Sequence, residues 1–96
     1  MFWIYILQCS DGSYYTGHTE NLEIRLASHQ SGNVIGYTST RLPVKLMFSQ
    51  ALTTREEAIS AERQIKGWSR AKKEAMMQGD WQRVSELAKS SNNKID

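Results

Sequence analysis

A hairpin encoded near the start of the chain limits the fold more than any other feature. Phe2 to Leu7 is aromatic, β-branched or long apolar throughout and predicts a strand over Phe2–Gln8. Ser10-Asp11-Gly12 is a turn signal, and Tyr14-Tyr15-Thr16 resumes strand chemistry. Two loop lengths compete for the connection. A two-residue Asp11-Gly12 loop pairs Tyr5 with His18 and sends Tyr5 and Tyr15 to opposite faces. A three-residue loop, with Ser10-Asp11 in a type I turn and Gly12 left-handed, pairs Tyr5 with Gly17 and Leu7 with Tyr15. Side chains alternate across a strand, so the second register puts both tyrosines on one face, and it is the register expected here. Gly17, facing Tyr5, then leaves space above the sheet.

Asn21 is suited to cap a helix over Leu22 to Gln30, with Gly32 just past its end and Leu22 and Leu26 marking its apolar face. Ser31 to Leu42, with Gly32, Gly36 and many hydroxyls, reads as a loop, and loops of about a dozen residues in small domains are usually functional or mobile. Pro43 opens a third strand, Val44 to Gln50, in which Val44, Leu46 and Phe48 alternate with Lys45 and Met47. Thr54 and Glu57 form a capping-box pair for a helix that runs to Lys66 and stops at Gly67. Ser69 caps a short helix ending near Gly79, and Asp80 caps a last one reaching about Lys89. The polar stretch 90–96 is expected to be a flexible tail after a single domain over 1–89. The order β-β-α-β-α-α-α predicts an α+β fold, a small antiparallel sheet with helices on its faces.

Ninety-six residues suffice for one such domain. The single cysteine, Cys9, excludes an intramolecular disulfide framework and a Cys-based zinc cage and suits a reducing cytoplasm. The apolar runs are too short to span a membrane, and the N-terminus has neither the basic leader nor the cleavage site of a signal peptide. The net charge of +2 says little, but its distribution says more. Residues 1–24 carry Asp11, Glu20 and Glu23 with no Lys or Arg, whereas 63–73 carry Arg63, Lys66, Arg70, Lys72 and Lys73 around Trp68 with no acid. A basic stretch around an aromatic suits a nucleic acid, although it also describes a solvated helix face. Cys9, Trp3, Trp68, Trp81, Met76 and Met77 are expected to pack, and Trp68 could also stack a base.

Polar groups on faces that should be apolar point to chemistry. Glu62 shares a helix stripe with Ala58 and Ile65, and a carboxylate there is costly unless it is paired, hydrogen-bonded or metal-bound. His29 continues the Leu22–Leu26 row, and Arg25 lies one turn before it. Taken singly, these are an arginine at an edge, a histidine in a core and two strand tyrosines. Taken together, Tyr5, Tyr15, Arg25, His29 and Glu62 on one surface match what phosphodiester hydrolysis requires. A carboxylate can hold a hard divalent cation that polarises the phosphate. An arginine fork grips phosphate oxygens, and a phenol or imidazole positions or deprotonates water. A tyrosine serves as base at neutral pH only if Arg25 or the metal lowers its pKa.

The order and spacing of several short motifs resemble the GIY-YIG nucleases. Trp3-Ile4-Tyr5 is followed by Tyr15-Thr16-Gly17, then by Asn21-Leu22 leading to Arg25 and His29, and then by Gly36-Tyr37-Thr38 ahead of Pro43. Glu62 with Ile65-Lys66-Gly67-Trp68 completes the match, which covers about residues 2–78. The chain departs from the pattern at Trp3 and Thr16, carries His18 where some members have a lysine, and has no asparagine between Glu62 and Asn92. The resemblance implies a three-stranded antiparallel sheet flanked by helices and a metal-dependent DNA endonuclease of the small stand-alone branch. Tyr5 and Tyr15 would be its paired tyrosines, one of them near the nucleophilic water. Arg25 would steady the scissile phosphate, His29 would be accessory to it, and Glu62 would hold one Mg²⁺ or Mn²⁺. Gly17, His18, Tyr37 and Thr38 would stand close by.

Arg41, Lys66, Trp68, Arg70, Lys72 and Lys73 are the candidates for gripping DNA, with Lys45 and Arg55 as further cations. With about three to five phosphate contacts, binding would be weak and salt-sensitive. That favours structure-selective or weakly specific cutting, in repair or recombination, by a monomer acting on branched or damaged duplex, with recruitment by another protein as an option. The alternatives are a non-catalytic nucleic-acid-binding module and an adaptor surface on the same fold.

Overall fold

The computed structural model describes residues 1–95, with side chains as far as Ala88 in the last helix. The chain separates into two compact units, Met1–Lys66 and Gly67–Asp96. The first contains strands β1 (Phe2–Gln8), β2 (Tyr14–Thr19) and β3 (Lys45–Leu52) and helices α1 (Leu22–Gln30) and α2 (Arg55–Lys66). The second contains α3 (Arg70–Met77) and α4 (Trp81–Ile95). Among the described residues no helix is long and apolar enough to cross a membrane.

The strands form one antiparallel sheet in the order β2-β1-β3, so β1 is central. The three-residue hairpin loop is the one adopted. Gly12 N–H donates to Cys9 O at 2.9 Å, Cys9 N–H donates to Ser13 O at 2.8 Å, and Gly12 has φ +86°. Tyr5 accordingly faces Gly17, and Leu7 faces Tyr15. One face of the sheet collects Tyr5, Leu7, Cys9 and Val44, against which Tyr15 and the α1 residues Leu22 and Leu26 pack. The other face collects Ile4, Ile6 and Thr16, and α2 closes it with buried Ala58 and Ile65. Full burial of each large apolar side chain is worth about 1.5–3 kcal/mol, and the central strand supplies most of them.

The simple alternation expected of the third strand does not hold. Ile6 pairs with Phe48 but Leu7 pairs with Leu46, so β3 carries an extra residue, Met47, at a bulge. Leu46 and Phe48 therefore go to opposite faces. Val44 is buried just ahead of the strand. It is held by the Gln30 amide, whose Oε1 accepts from Val44 N–H at 3.1 Å and whose Nε2 donates to Val44 O.

Helix boundaries follow their caps. Asn21 Oδ1 accepts from Ile24 N–H at 3.1 Å, and at the far end of α1 Gly32 N–H and Asn33 N–H return to His29 O and Ser28 O around Gly32 at φ +77°. Thr54 and Glu57 form the reciprocal capping box of α2. In the second unit Ser69 caps α3, Asp80 caps α4, and the two helices pack together with Ala75, Met76 and Val84 buried. Two expectations differ there. Trp81 is 55% exposed rather than packed, because it occupies the first turn of α4. The last helix also continues past Lys89 to Ile95, since no Gly or Pro stands between to end it. Asp96, the end of the expected tail, lies outside the described residues.

Candidate active site

The hairpin register and the length of α1 bring Tyr5, Tyr15 and His29 into one cluster. Tyr5 Oη lies 2.9 Å from His29 Nε2, and both residues are essentially inaccessible to solvent. Tyr15 stands edge-on to the imidazole with ring centroids 5.3 Å apart, and 6.4 Å from Tyr5. His29 Nδ1 lies 2.8 Å from the hydroxyl of buried Thr38, which the 31–42 segment delivers from outside the sheet. Gly17 does not leave an empty space. A Cβ there would stand 2.6 Å from Tyr5 Oη and 2.8 Å from its Cζ, so the phenol already fills the volume the glycine vacates. That close approach lets Tyr5 lie across β2 and reach the histidine.

The electrostatics of this cluster oppose ionisation of Tyr5. Burial, reinforced by Tyr15 and Glu62, raises the Tyr5 pKa well above its ordinary value, and the opposing effect of Arg25 is smaller. The Arg25 guanidinium alone therefore does not lower it, and Tyr5 is held protonated at neutral pH. Burial, with the Arg25 guanidinium second, lowers the His29 pKa, so the imidazole is neutral. Each ring nitrogen therefore faces a hydroxyl, Nε2 that of Tyr5 and Nδ1 that of Thr38, and a neutral imidazole donates from one and accepts at the other.

Glu62 does not share the face of the tyrosines. His18 pairs with Ile4, on the α2 side of the sheet, and its Nδ1 lies 2.7 Å from Glu62 Oε1. Glu62 Oε2 lies 3.0 Å from Lys66 Nζ, one helical turn on. Partial burial pushes the Glu62 pKa up, but the hydrogen bonds from His18 and Lys66 outweigh it and the net shift is downward. The carboxylate is thus ionised at neutral pH. The five residues expected on one surface are divided between the two faces of the sheet at its β2 edge, and what links them is electrostatic: Arg25 and Glu62 both act on Tyr5. The expectation failed because β2 is an edge strand, around which a helix on the far face can reach.

Arg25 sits half-buried on α1 and lines an open cleft of about 440 Å³ with His18, Ile24, Ser28 and Arg55. Among the described residues no ion pair holds Arg25 or Arg55. Of the other candidate cations of this unit, Arg41 and Lys66 are engaged by carboxylates. Arg41 Nε lies 3.0 Å from Asp11 Oδ2, Nη1 donates to Tyr37 O at 2.8 Å, and the guanidinium covers the Tyr37 ring at 3.9 Å. Tyr37 in turn stacks on Tyr15, with centroids 6.3 Å apart. In the second unit Lys72 Nζ lies 4.3 Å from the centre of the Trp68 ring, Arg70 pairs with Glu74 at 3.2 Å, and Lys73 lies in the same helix. The Glu62–Lys66 pair was readable from i, i+4 spacing. The role of Asp11 as the tether of Arg41 had no local signal.

Glu62 keeps part of its carboxylate open to a metal ion. Its two oxygens offer about four lone-pair directions, of which His18 and Lys66 use two. Among the described residues no group of three or more His, Cys, Asp or Glu side chains is placed to hold a metal ion. The residues therefore fit a largely hydrated ion on one carboxylate, a mode Mg²⁺ accepts, rather than an all-protein cage.

The family pattern described as the GIY-YIG catalytic domain matches residues 1–75. A UPF0213 protein of Streptococcus pneumoniae is 47% identical over 75 residues, which cover 78% of this chain and 76% of that protein. A UPF0213 protein of Halobacterium salinarum is 42% identical over 76 residues, covering 79% and 99%. The solution NMR structure of a UPF0213 protein from Bacillus halodurans aligns with TM-score 0.54 and 37% identity over 91% of this chain and 97% of its own. A solution NMR structure of a protein from E. faecalis aligns with TM-score 0.56 and 38% identity over 80% and 82%.

Proposed function

The chain belongs to the GIY-YIG nuclease family, among the UPF0213 proteins, and from that premise we propose that it is a divalent-metal-dependent endonuclease that hydrolyses phosphodiester bonds in DNA. The observation that carries the reading is Arg25. It is a guanidinium without an ion-pair partner among the described residues, it borders a cleft, and its charge acts on both Tyr5 and His29. An arginine so placed binds a phosphate oxygen in a bidentate fork and offsets the charge that develops as the bond to the leaving oxygen breaks.

Glu62 is the residue that would hold Mg²⁺ or Mn²⁺, and the ion would supply Lewis-acid polarisation of the phosphate and neutralisation of the leaving oxygen. Tyr5 stays protonated and is hydrogen-bonded to His29, which fixes the ring. Tyr15, half-buried, is the phenol that keeps access to solvent and orients the attacking water. Thr38 locks the imidazole from the other side. Cutting is structure-selective or weakly specific and serves repair or recombination.

One observation favours a second reading, a non-catalytic nucleic-acid-binding module. Both Glu62 oxygens already have a partner, His18 on one and Lys66 on the other, and an ion would share the carboxylate with them. Purified protein incubated with branched, flapped and plain duplex DNA, with and without Mg²⁺, decides between the two. The nuclease reading expects Mg²⁺-dependent cleavage, lost in Glu62→Ala with the fold retained. It expects Arg25→Ala to lose on the order of a hundredfold in rate with little change in binding. Binding without cleavage under all conditions supports the module instead.

A further inference from the structure

The cleft beside Arg25 is larger and chemically richer than a phosphate clamp needs. Its volume of about 440 Å³ lies within the range of small-ligand sites, about 300–1,000 Å³. Arg25 lines one side from α1, and Arg55, the first residue of α2, lines another. Neither guanidinium is in an ion pair among the described residues, while Arg41 and Lys66 each hold a carboxylate. Phe2 and Ile24 contribute apolar surface to the same cleft, and Ile24 is 64% exposed and so open to a ligand. Ser28 and Asn21 add hydrogen-bonding groups. Glu20 is the one acid among the lining residues, and Glu62, hydrogen-bonded to the lining His18, is paired with Lys66.

Two arginines outside any ion pair, against one lining acid, and an apolar wall in one hollow match a nucleotide, which has anionic oxygens at one end and a flat hydrophobic base at the other. A paired base inside a duplex cannot offer that face, because its neighbours already stack on it. Building on the nuclease reading, we propose that the cleft is a subsite for one unpaired nucleotide next to the cut. Arg55 binds the phosphate adjoining the one at Arg25, and Phe2 and Ile24 receive the unstacked base. The substrate class is therefore DNA with a bulge, flap or other unpaired nucleotide, with Phe2 and Ile24 setting the selectivity and Arg55 adding affinity for the backbone.

The test is binding measured by fluorescence anisotropy in the presence of a chelator, so that no cleavage intervenes. The probes are a duplex with one unpaired 2-aminopurine nucleotide and the same duplex fully paired. The unpaired probe should bind on the order of tenfold more tightly, and its aminopurine emission should change on binding. Ile24→Ser and Phe2→Leu, the second chosen to keep β1 packed, should each erode that preference while leaving paired-duplex affinity nearly unchanged. Arg55→Ala should weaken both complexes and reduce the salt slope of the paired one by about 0.9. Equal binding of the two probes, or a preference unmoved by both apolar variants, overturns the subsite. Cleavage by the chain without this preference removes the subsite and keeps the nuclease, whereas preference without cleavage under Mg²⁺ does the reverse.

Discussion

Tyr5 reaches His29 only because position 17 has no side chain. A methyl group placed there would stand 2.6 Å from the phenol oxygen, closer than real Cβ contacts, and 3.1 Å from Tyr15 Cε2. The backbone of β1 cannot retreat, being paired on both sides. Gly17→Ala should therefore cost about 1–3 kcal/mol in urea unfolding, as overpacking of a dense core does. It should also move the His29 ring resonances, which report loss of the 2.9 Å contact. The imidazole makes a separate prediction. Its pKa is depressed in the fold, by burial first and Arg25 second, while the unfolded chain protonates near the ordinary value of about 6.5. Between the folded pKa and 6.5 the unfolded state binds more protons, so stability is fully present above about 6.5 and falls as pH drops below it. Unfolding free energies measured from about pH 7.5 to 5 should show this decline, and His29→Phe should flatten it. Thr16 predicts the opposite kind of effect. Its hydroxyl is buried without a hydrogen-bond partner, so Thr16→Val should stabilise by about 1 kcal/mol.

Among the elements, the 31–42 segment shows how a loop becomes part of a site. Thr38 enters the core to meet His29, Arg41 O accepts from Ser10 N–H at 2.9 Å, and the Arg41 guanidinium spans Asp11 and Tyr37. The pair is exposed and screened by solvent, so Arg41→Ala should hardly change global stability. It should speed amide hydrogen exchange at Ser10 and Arg41, because the loop loses its tether. The hairpin, both caps of α1 and the capping box of α2 were legible in the sequence, since each depends on residues within a few positions of one another. The third strand was legible only in outline. The bulge at Met47 answers to β1, and no local signal announces it. The same limit applied to the site. Tyr5, Tyr15 and His29 could be placed together from strand parity and helix spacing. Glu62 could not be assigned to a side of the sheet, because that needs the chain path between β3 and α2. The sign of the Tyr5 shift also depended on burial, which outweighs Arg25 and is invisible in composition.

Over the whole molecule, a net charge of +2 spread over 12 cations and 10 acids leaves little long-range attraction for a polyanion. Binding must then rest on the cations that can reach a phosphate without giving up a carboxylate. Arg41, Lys66 and Arg70 each hold one, at 3.0, 3.0 and 3.2 Å. Arg25, Lys45, Arg55 and Arg63 in the first unit are in no ion pair among the described residues, and Lys72 in the second is placed over the Trp68 ring. Each phosphate contact on duplex DNA contributes about 0.9 to the slope of log affinity against log salt, so three contacts give a slope of about −2.7. Lys72→Ala should flatten the slope by about 0.9, whereas Arg41→Ala should leave it nearly unchanged because its charge is already spent on Asp11. Titrations of a plain duplex across salt concentrations, with chelator present, would measure both. A slope that falls equally in the two variants would mean that DNA displaces Asp11, and that the 31–42 segment belongs to the binding surface.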